Sequence, residues 1–382
     1  MRQSISRIAP IVMGFTIAAF DVVTLPAAAQ PATPGPDLLG VSQSATAPTN
    51  PGLGTPSAEA SRTTSGTSRA PIVNVTSCSE SDLQAAIGSV ATVGGTVNLR
   101  PGCTYTLTDT VPPNDDNGLP VIKNSVTINL RGDIITRAAT AGNFRFFEIN
   151  GPNGNLTLNT LTLSNGHAAT GLGNGRGGAI WLNGAGSALT LNNSSLTTNT
   201  ADTFGGAIEN DSGAVSVNRS TLHNNKATAG GAVFVNPFGG SGTATFDRSR
   251  ITGNHATILA GGIAQAGTMT LKRSEVIGNT TTGAKAQGGG IFNTSGTVQL
   301  TRSPVAGNTT NGTNSRGGGI FNAGSGSVAL TRSPVTNNQA LGTGADGGGV
   351  FKASGTVTRD ASPIVRNRLN NCGSPSTVTG CS

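Results

Sequence analysis

One short pattern governs what this chain can fold into. Ser-x-(Leu/Ile/Val)-x-x-Asn occurs seven times, at intervals of 25 to 30 residues, ending on Asn199, Asn225, Asn254, Asn279, Asn308, Asn338 and Asn367. A Gly-Gly-(Ala/Gly)-(Ile/Val) tetrapeptide or close variant opens each of the same units. Its apolar markers are Ile180, Ile208, Val233, Ile263, Ile291, Ile320 and Val350. A unit this short cannot bury an apolar face by itself, so the units must stack on one another.

The grammar inside a unit sets how it stacks. In the sixth, Ile320 leads into a Gly/Ser turn, then Val328-x-Leu330, then Arg332-Ser333-Pro334, then Val335-x-x-Asn338. Val328 and Leu330 alternate with polar residues, as in a half-buried strand. The next apolar residue comes five positions later, so the parity flips, which requires a corner at Arg-Ser. Three short strands and three turns per unit make one coil of a right-handed parallel β-helix. Such an all-β solenoid stacks equivalent residues about 4.8 Å apart. The clear repeats over 177–367, with about three less regular coils before them, predict a rod roughly 50 Å long. In this picture the asparagines and glycines are mechanical. Asn tolerates left-handed turns and its amide can bond to the amides above and below, while the Gly pairs allow tight turns.

The ends of the rod are legible too. Ser81-Asp82-Leu83-Gln84 has capping-box form, and Leu83, Ile87 and Val90 share one helical face. A short helix there would cap the open end of the solenoid. The chain has four cysteines. Cys78 and Cys103 flank the start of the fold and Cys372 and Cys381 lie together at its end. Of three possible connectivities, local pairing is the simplest, and it fits an oxidising compartment. With no Cys-x-x-Cys and no clustered His, no metal site is expected; no cofactor is expected either.

Residues 1–29 read as a secretory signal: Arg2 and Arg7, an apolar run from Ile8 to Phe20, then Ala27-Ala28-Ala29. Asp21 cuts that run short of the roughly 20 residues a span needs, and no second candidate exists. The mature chain is therefore expected to lack a transmembrane segment. Residues 30–70, rich in Pro, Ser, Thr, Ala and Gly, read as a disordered tether. The β-helix domain takes 71–382. A net charge of +7 permits anionic partners. No Lys/Arg run or RNA-binding aromatic motif points to nucleic acid.

These repeats resemble the polymorphic outer-membrane-protein repeat family, through Gly177–Ile180, Gly205–Ile208 and Gly230–Val233. They also resemble it through the family's Phe-x-x-Asn element, here with Leu or Ile, as in Leu196–Asn199 and Ile251–Asn254. More broadly the chain is similar to secreted bacterial right-handed β-helices of the pectate-lyase-like superfamily, over roughly residues 95–367. The resemblance implies a cell-surface or outer-membrane-associated protein on a scaffold that serves both adhesins and polysaccharide-degrading enzymes. Autotransporter members end in a membrane β-barrel. The residues after the last repeat hold no strands for one, so self-insertion is not carried over.

Enzymes on such scaffolds gather carboxylates on neighbouring coils. The carboxylates here, Asp202, Glu209, Asp211, Asp247, Glu275, Asp346 and Asp360, scarcely share columns. Glu209 and Asp211 are close, with no third acid or Arg obviously joining them. His167, His223 and His255 read as solvated turn residues. No catalytic residue is assigned. Two columns stand out instead. Arg219, Arg248, Arg273, Arg302 and Arg332 occupy one corner on five successive coils, either a polyanion-binding edge or side chains splayed into water. Trp181, Glu209, Phe234, Ala264, Phe292, Phe321 and Phe351 follow the marker residues. They form either a core stack or, as the carboxylate of Glu209 suggests, an outward apolar stripe. The expected function is a secreted or surface-attached, non-enzymatic binding or adhesive rod. Its expected partners are acidic polysaccharide, cell-envelope glycan or a surface protein. The alternative is a polysaccharide lyase or glycoside hydrolase acting on an acidic polysaccharide.

Overall fold

Alternating residues decide which way each strand faces. Val328 and Leu330 are each 1 % exposed while Ala329 between them is half-buried, and the same alternation recurs through the units above and below. In a computed structural model the described residues are 69–112, 116–130, 132–171, 174–236, 242–374 and 378–381. The stretch read as a secretory signal and nearly all of the stretch read as a tether lie outside them. Over the described residues the chain winds as an all-parallel β-solenoid of about nine turns with one short helix.

Each full turn contributes a strand to four sheets, which contain 8, 11, 10 and 7 strands in the order the chain visits them. In the sixth unit these strands are Ile320–Ala323, Ser327–Thr331, Val335–Thr336 and Gln339–Leu341. We call the sheets the marker, broad, corner and short sheets. Their register matches equivalent residues: Val298 pairs with Val328 and Val328 with Val357, and Ile291, Ile320 and Val350 align likewise. The broad sheet is eleven strands deep, about 48 Å at roughly 4.8 Å per step. The expectation of three strands per turn is corrected to four. The added strand follows the repeat asparagines from Asn199 to Asn338. In places it is only two residues long, as at Thr280–Thr281, too short for periodicity to reveal.

Both fixed residues of the repeat are buried ladders. The serine follows the corner. Ser220, Ser249, Ser274, Ser303 and Ser333 are at most 2 % exposed. Each Oγ donates to the carbonyl two residues earlier and accepts the backbone N–H of the serine one turn before. Ser249 N donates to Ser274 Oγ at 3.0 Å, and Ser274 Oγ donates to Lys272 O at 3.0 Å. The asparagines run one corner later. Asn225 Nδ2 donates to Asn254 Oδ1 at 2.9 Å, and Asn254 Nδ2 donates to Asn279 Oδ1 at 2.9 Å. The backbone N–H of each bonds to the same acceptor. Every donor at this bend is thus satisfied without water. The asparagine itself does not take the left-handed conformation, contrary to expectation. The residue before it does: Thr198, Asn224, Gly253, Gly278, Gly307 and Asn337 have φ between 53° and 65°.

The helix spans Glu80–Ala91 and buries Leu83, Ile87 and Val90 completely. Its N-cap is Ser79, two residues before the expected start, with Oγ accepting from Asp82 N at 3.2 Å. The disulfides are Cys78–Cys103 and Cys372–Cys381, the two local pairings, one at each end of the rod.

The solenoid encloses one long apolar core, and a second core lies outside it. Phe234, Ala264, Phe292, Phe321 and Phe351 point outward from the marker sheet, yet none is more than 4 % exposed. The segment before each Gly-Gly pair, carrying Phe204, Ala229 and Leu259, folds over them. Phe292, Phe321 and Phe351 stack with ring centroids 5.4 and 5.5 Å apart. The aromatic column is therefore not a solvent-facing stripe; of its rings only that of Trp181 is partly exposed. Seeing the phenylalanines point outward required knowing that another segment covers them.

Candidate functional site

Two places carry more charge than the fold requires. The first is the corner between the broad and corner sheets. The broad-sheet strand ends, one residue turns left-handed, and the ladder serine points in. That left-handed residue is Arg219, Arg248, Arg273, Arg302 or Arg332, with φ between 47° and 52°. All five are exposed. An L-residue in this region costs roughly 1–2 kcal/mol, and Gly or Asn avoids most of it. Asn193 holds the same corner one turn before Arg219. Neighbouring guanidinium groups also repel each other.

The side chains along this edge differ in their company. Asp247 Oδ2 accepts from Arg248 Nη1 at 3.1 Å, and Asp247 Oδ1 lies 3.7 Å from Arg273 Nε. Among the described residues Arg219, Arg302 and Arg332 have no side-chain ion pair. The residues preceding the five arginines are Asn218, Asp247, Lys272, Thr301 and Thr331.

The second place is the N-terminal part of the marker sheet's outer face. Glu148, Trp181, Glu209 and Phe234 align in register on successive strands. Glu209 is fully buried, and among the described residues neither carboxyl oxygen has a hydrogen bond of ordinary geometry. Arg176 Nη1 is 3.4 Å from Glu209 Oε1 and donates to Asp211 Oδ1 at 3.1 Å. Asp211 also accepts from Trp181 Nε1 at 2.9 Å and Asn236 Nδ2 at 2.7 Å. Glu148 accepts from Asn117, Asn150 and Asn183. The Arg145 guanidinium, itself buried, lies 5.0 Å from the Trp181 ring. Burial pushes the Glu209 carboxyl well above the usual carboxylate range. The charge of Asp211 adds to this and Arg176 opposes it. Glu209 is thus a buried carboxyl pushed above the usual range, two residues from an Asp211 held by Arg176, Trp181 and Asn236. The expectation that no Arg joins this pair is corrected. Arg176 comes from the preceding turn, just before Gly177, where the repeat grammar assigns no role. Extending the column back past Trp181 to Glu148 was the signal that would have exposed the cluster.

The histidines lie in strands rather than turns. His167 Nε2 is 3.1 Å from Asp202 Oδ1, His223 pairs with Thr197, and His255 with Thr282. Burial pushes the pKa of His223 down; His255 is lowered by burial and by Lys226. These three rings are not brought together. Asp247 and Asp360 share a column but lie four turns apart. Among the described residues no group of three or more His, Cys, Asp or Glu is arranged to hold a metal ion, and no helix is long and apolar enough to cross a membrane.

No protein-family model matches the chain, and no curated protein matches it. Among solved structures, the A-module of the Azotobacter vinelandii mannuronan C-5 epimerase AlgE6 is similar, at 13 % identity. The match covers 80 % of this chain and 100 % of that one, with a TM-score of 0.29. Likeness at this level carries nothing about chemistry.

Proposed function

We propose that this chain is a secreted or cell-surface β-helix rod that binds acidic glycans along its arginine edge, without catalysing their breakdown. One observation carries the reading: five exposed arginines occupy successive left-handed corners, where a smaller, uncharged residue would serve the fold better. An exposed guanidinium–anion pair contributes only about 0.2–1 kcal/mol, so a single sugar acid would bind negligibly. A polymer engaging several corners at once gains from multivalency, and the planar fork of Arg suits carboxylate or phosphate. Replacing Arg248, Arg273 and Arg302 by Gln is expected to lower affinity for acidic polysaccharide at least tenfold at low salt, with unchanged circular dichroism. Unchanged affinity would leave the column a solvated corner.

The buried carboxyl cluster favours a second reading, a glycan-modifying enzyme. A buried glutamic acid whose carboxyl is pushed above the usual range, beside Asp211 and flanked by Arg176 and Trp181, is an arrangement acid–base catalysis can use. Turnover of acidic polysaccharides that disappears in Glu209→Gln or Asp211→Asn would establish it over the non-enzymatic rod.

A further inference from the structure

Asp247 shows what the arginine edge can hold. Its carboxylate sits between the guanidinium groups of two successive turns, one oxygen toward Arg248 at 3.1 Å and the other toward Arg273 at 3.7 Å. The Oδ1 atom is buried and has no hydrogen-bond donor among the described residues, so the second arginine approaches it by charge alone. This is an internal carboxylate in a notch made by neighbouring corners.

The register repeats the notch. The residue before each arginine occupies one column of the broad sheet, in which Asn218, Asp247, Lys272, Thr301 and Thr331 align. Arg219 and Arg248 flank the notch at Asn218. Arg248 and Arg273 flank the one at Asp247, Arg273 and Arg302 the one at Lys272, and Arg302 and Arg332 the one at Thr301. Only the second contains a carboxylate. Asn218 is engaged elsewhere, donating to Asn192 Oδ1 at 3.0 Å. Lys272 adds a further positive charge. At Thr301 a short neutral hydroxyl stands where Asp247 stands two turns earlier, and both flanking arginines are exposed.

We infer that each pair of successive corner arginines is a two-oxygen carboxylate notch, that Asp247 fills one from within, and that the Arg302–Arg332 notch takes a carboxylate of a linear polyanionic glycan lying along the rod. This rests on the acidic-glycan reading and adds ligand chemistry and polarity to it. The glycan engages the C-terminal end of the edge first. Asp247 acts as a built-in competitor that weakens the middle. A carboxylate is preferred over a sulfate ester because its two coplanar oxygens divide between two guanidinium groups, as those of Asp247 do.

Two reciprocal substitutions test this, with binding measured at low salt to polygalacturonate, to the same polymer with its carboxyls reduced to alcohols, and to dextran sulfate. Thr301→Asp installs an internal carboxylate in the open notch and should weaken polygalacturonate binding roughly three- to fivefold, as Arg302→Gln should. Asp247→Asn empties the filled notch and should strengthen binding by a similar factor. The reduced polymer should not bind. Circular dichroism checks that each variant is folded. Equal affinity for polygalacturonate and dextran sulfate, with neither substitution having an effect, would overturn the notch while leaving a general polyanion edge. Absence of wild-type binding to all three polymers would overturn the edge and the notch together.

Discussion

The N-terminal and C-terminal turns share one backbone and use the same columns for different chemistry. On the broad sheet, the column that carries Asp247, Lys272 and Thr301 in the later turns is all asparagine in the earlier ones. Asn98, Asn129, Asn159, Asn192 and Asn218 each donate to the asparagine before them, back to Asn74, at 2.7 to 3.0 Å. On the marker sheet the order reverses. Charge gathers early, at Glu148, Glu209 and Asp211 with Arg145 and Arg176, and the later turns stack phenylalanine. A column can therefore carry charge or apolar rings without disturbing the winding, provided the buried Ser and Asn ladders stay intact. The ladders hold the fold, and the outer columns are free to vary.

The largest test of that division lies in the ladders. Asn279 accepts from Asn254 N and Nδ2 and donates to Asn308 Oδ1 and Ile251 O, all fully buried. Asn279→Ala strands several of those groups and should cost about 3–5 kcal/mol. Asn159→Ala, in the half-exposed outer ladder, should cost about 0.5–1.5 kcal/mol, because water can replace its partners. Urea denaturation of the disulfide-intact domain compares the two. Equal losses would mean that the outer ladder is as structural as the inner one.

The carboxyl cluster supplies an effect of intermediate size with a defined sign. Glu209 stays protonated in the folded chain at pH values where it ionises in the unfolded one, above about 4.3. The folded state then holds the extra proton. Stability must fall as pH rises from there through the raised folded-state pKa, and level off beyond it. Glu209→Gln keeps the volume and removes the ionisation. The variant should match or trail the wild type at pH 4 and exceed it at pH 8, by about 1–3 kcal/mol. A melting-temperature difference that does not change with pH would show that Glu209 does not titrate across this range. Phe292, Phe321 and Phe351, with no titratable group among them, offer no comparable pH handle.

What the sequence revealed follows the same division. The ladders were legible because identical residues at a fixed period are the signal itself. The coil, its corner at Arg-Ser and the local disulfides came with them. The fourth strand was not legible, since two residues such as Thr280 and Thr281 show no periodicity. A buried stack at Phe321 was one of two readings, but its place outside the solenoid was not legible, since the path of the covering segment is fixed only in the folded chain. The cluster at Glu209 was hidden for a related reason. Its arginine, Arg176, comes from the preceding turn, and neither Arg176 nor Asp211 belongs to the repeated motif. Columns that vary from turn to turn are where sequence periodicity stops informing, and they are also where the charged side chains gather.

The smallest expected effect bears most directly on why the corners differ. Arg219, Arg302 and Arg332 lie in left-handed backbone without an ion-pair partner among the described residues, whereas Asn193 holds the equivalent corner in the N-terminal half. If the fold alone chose these residues, Asn would be the better choice throughout. Asn at those three positions relaxes the backbone and relieves a line of like charges. Each replacement should stabilise by about 0.5 kcal/mol, while binding to acidic polysaccharide falls. The reverse change, Asn193→Arg, should destabilise by a similar amount and lengthen the charged edge by one turn. Thermal unfolding and polymer binding measured on both sets separate the two causes. If stability fell on replacing Arg by Asn, the arginines would be contributing to the corner itself, and the contrast between the two halves would be structural rather than functional.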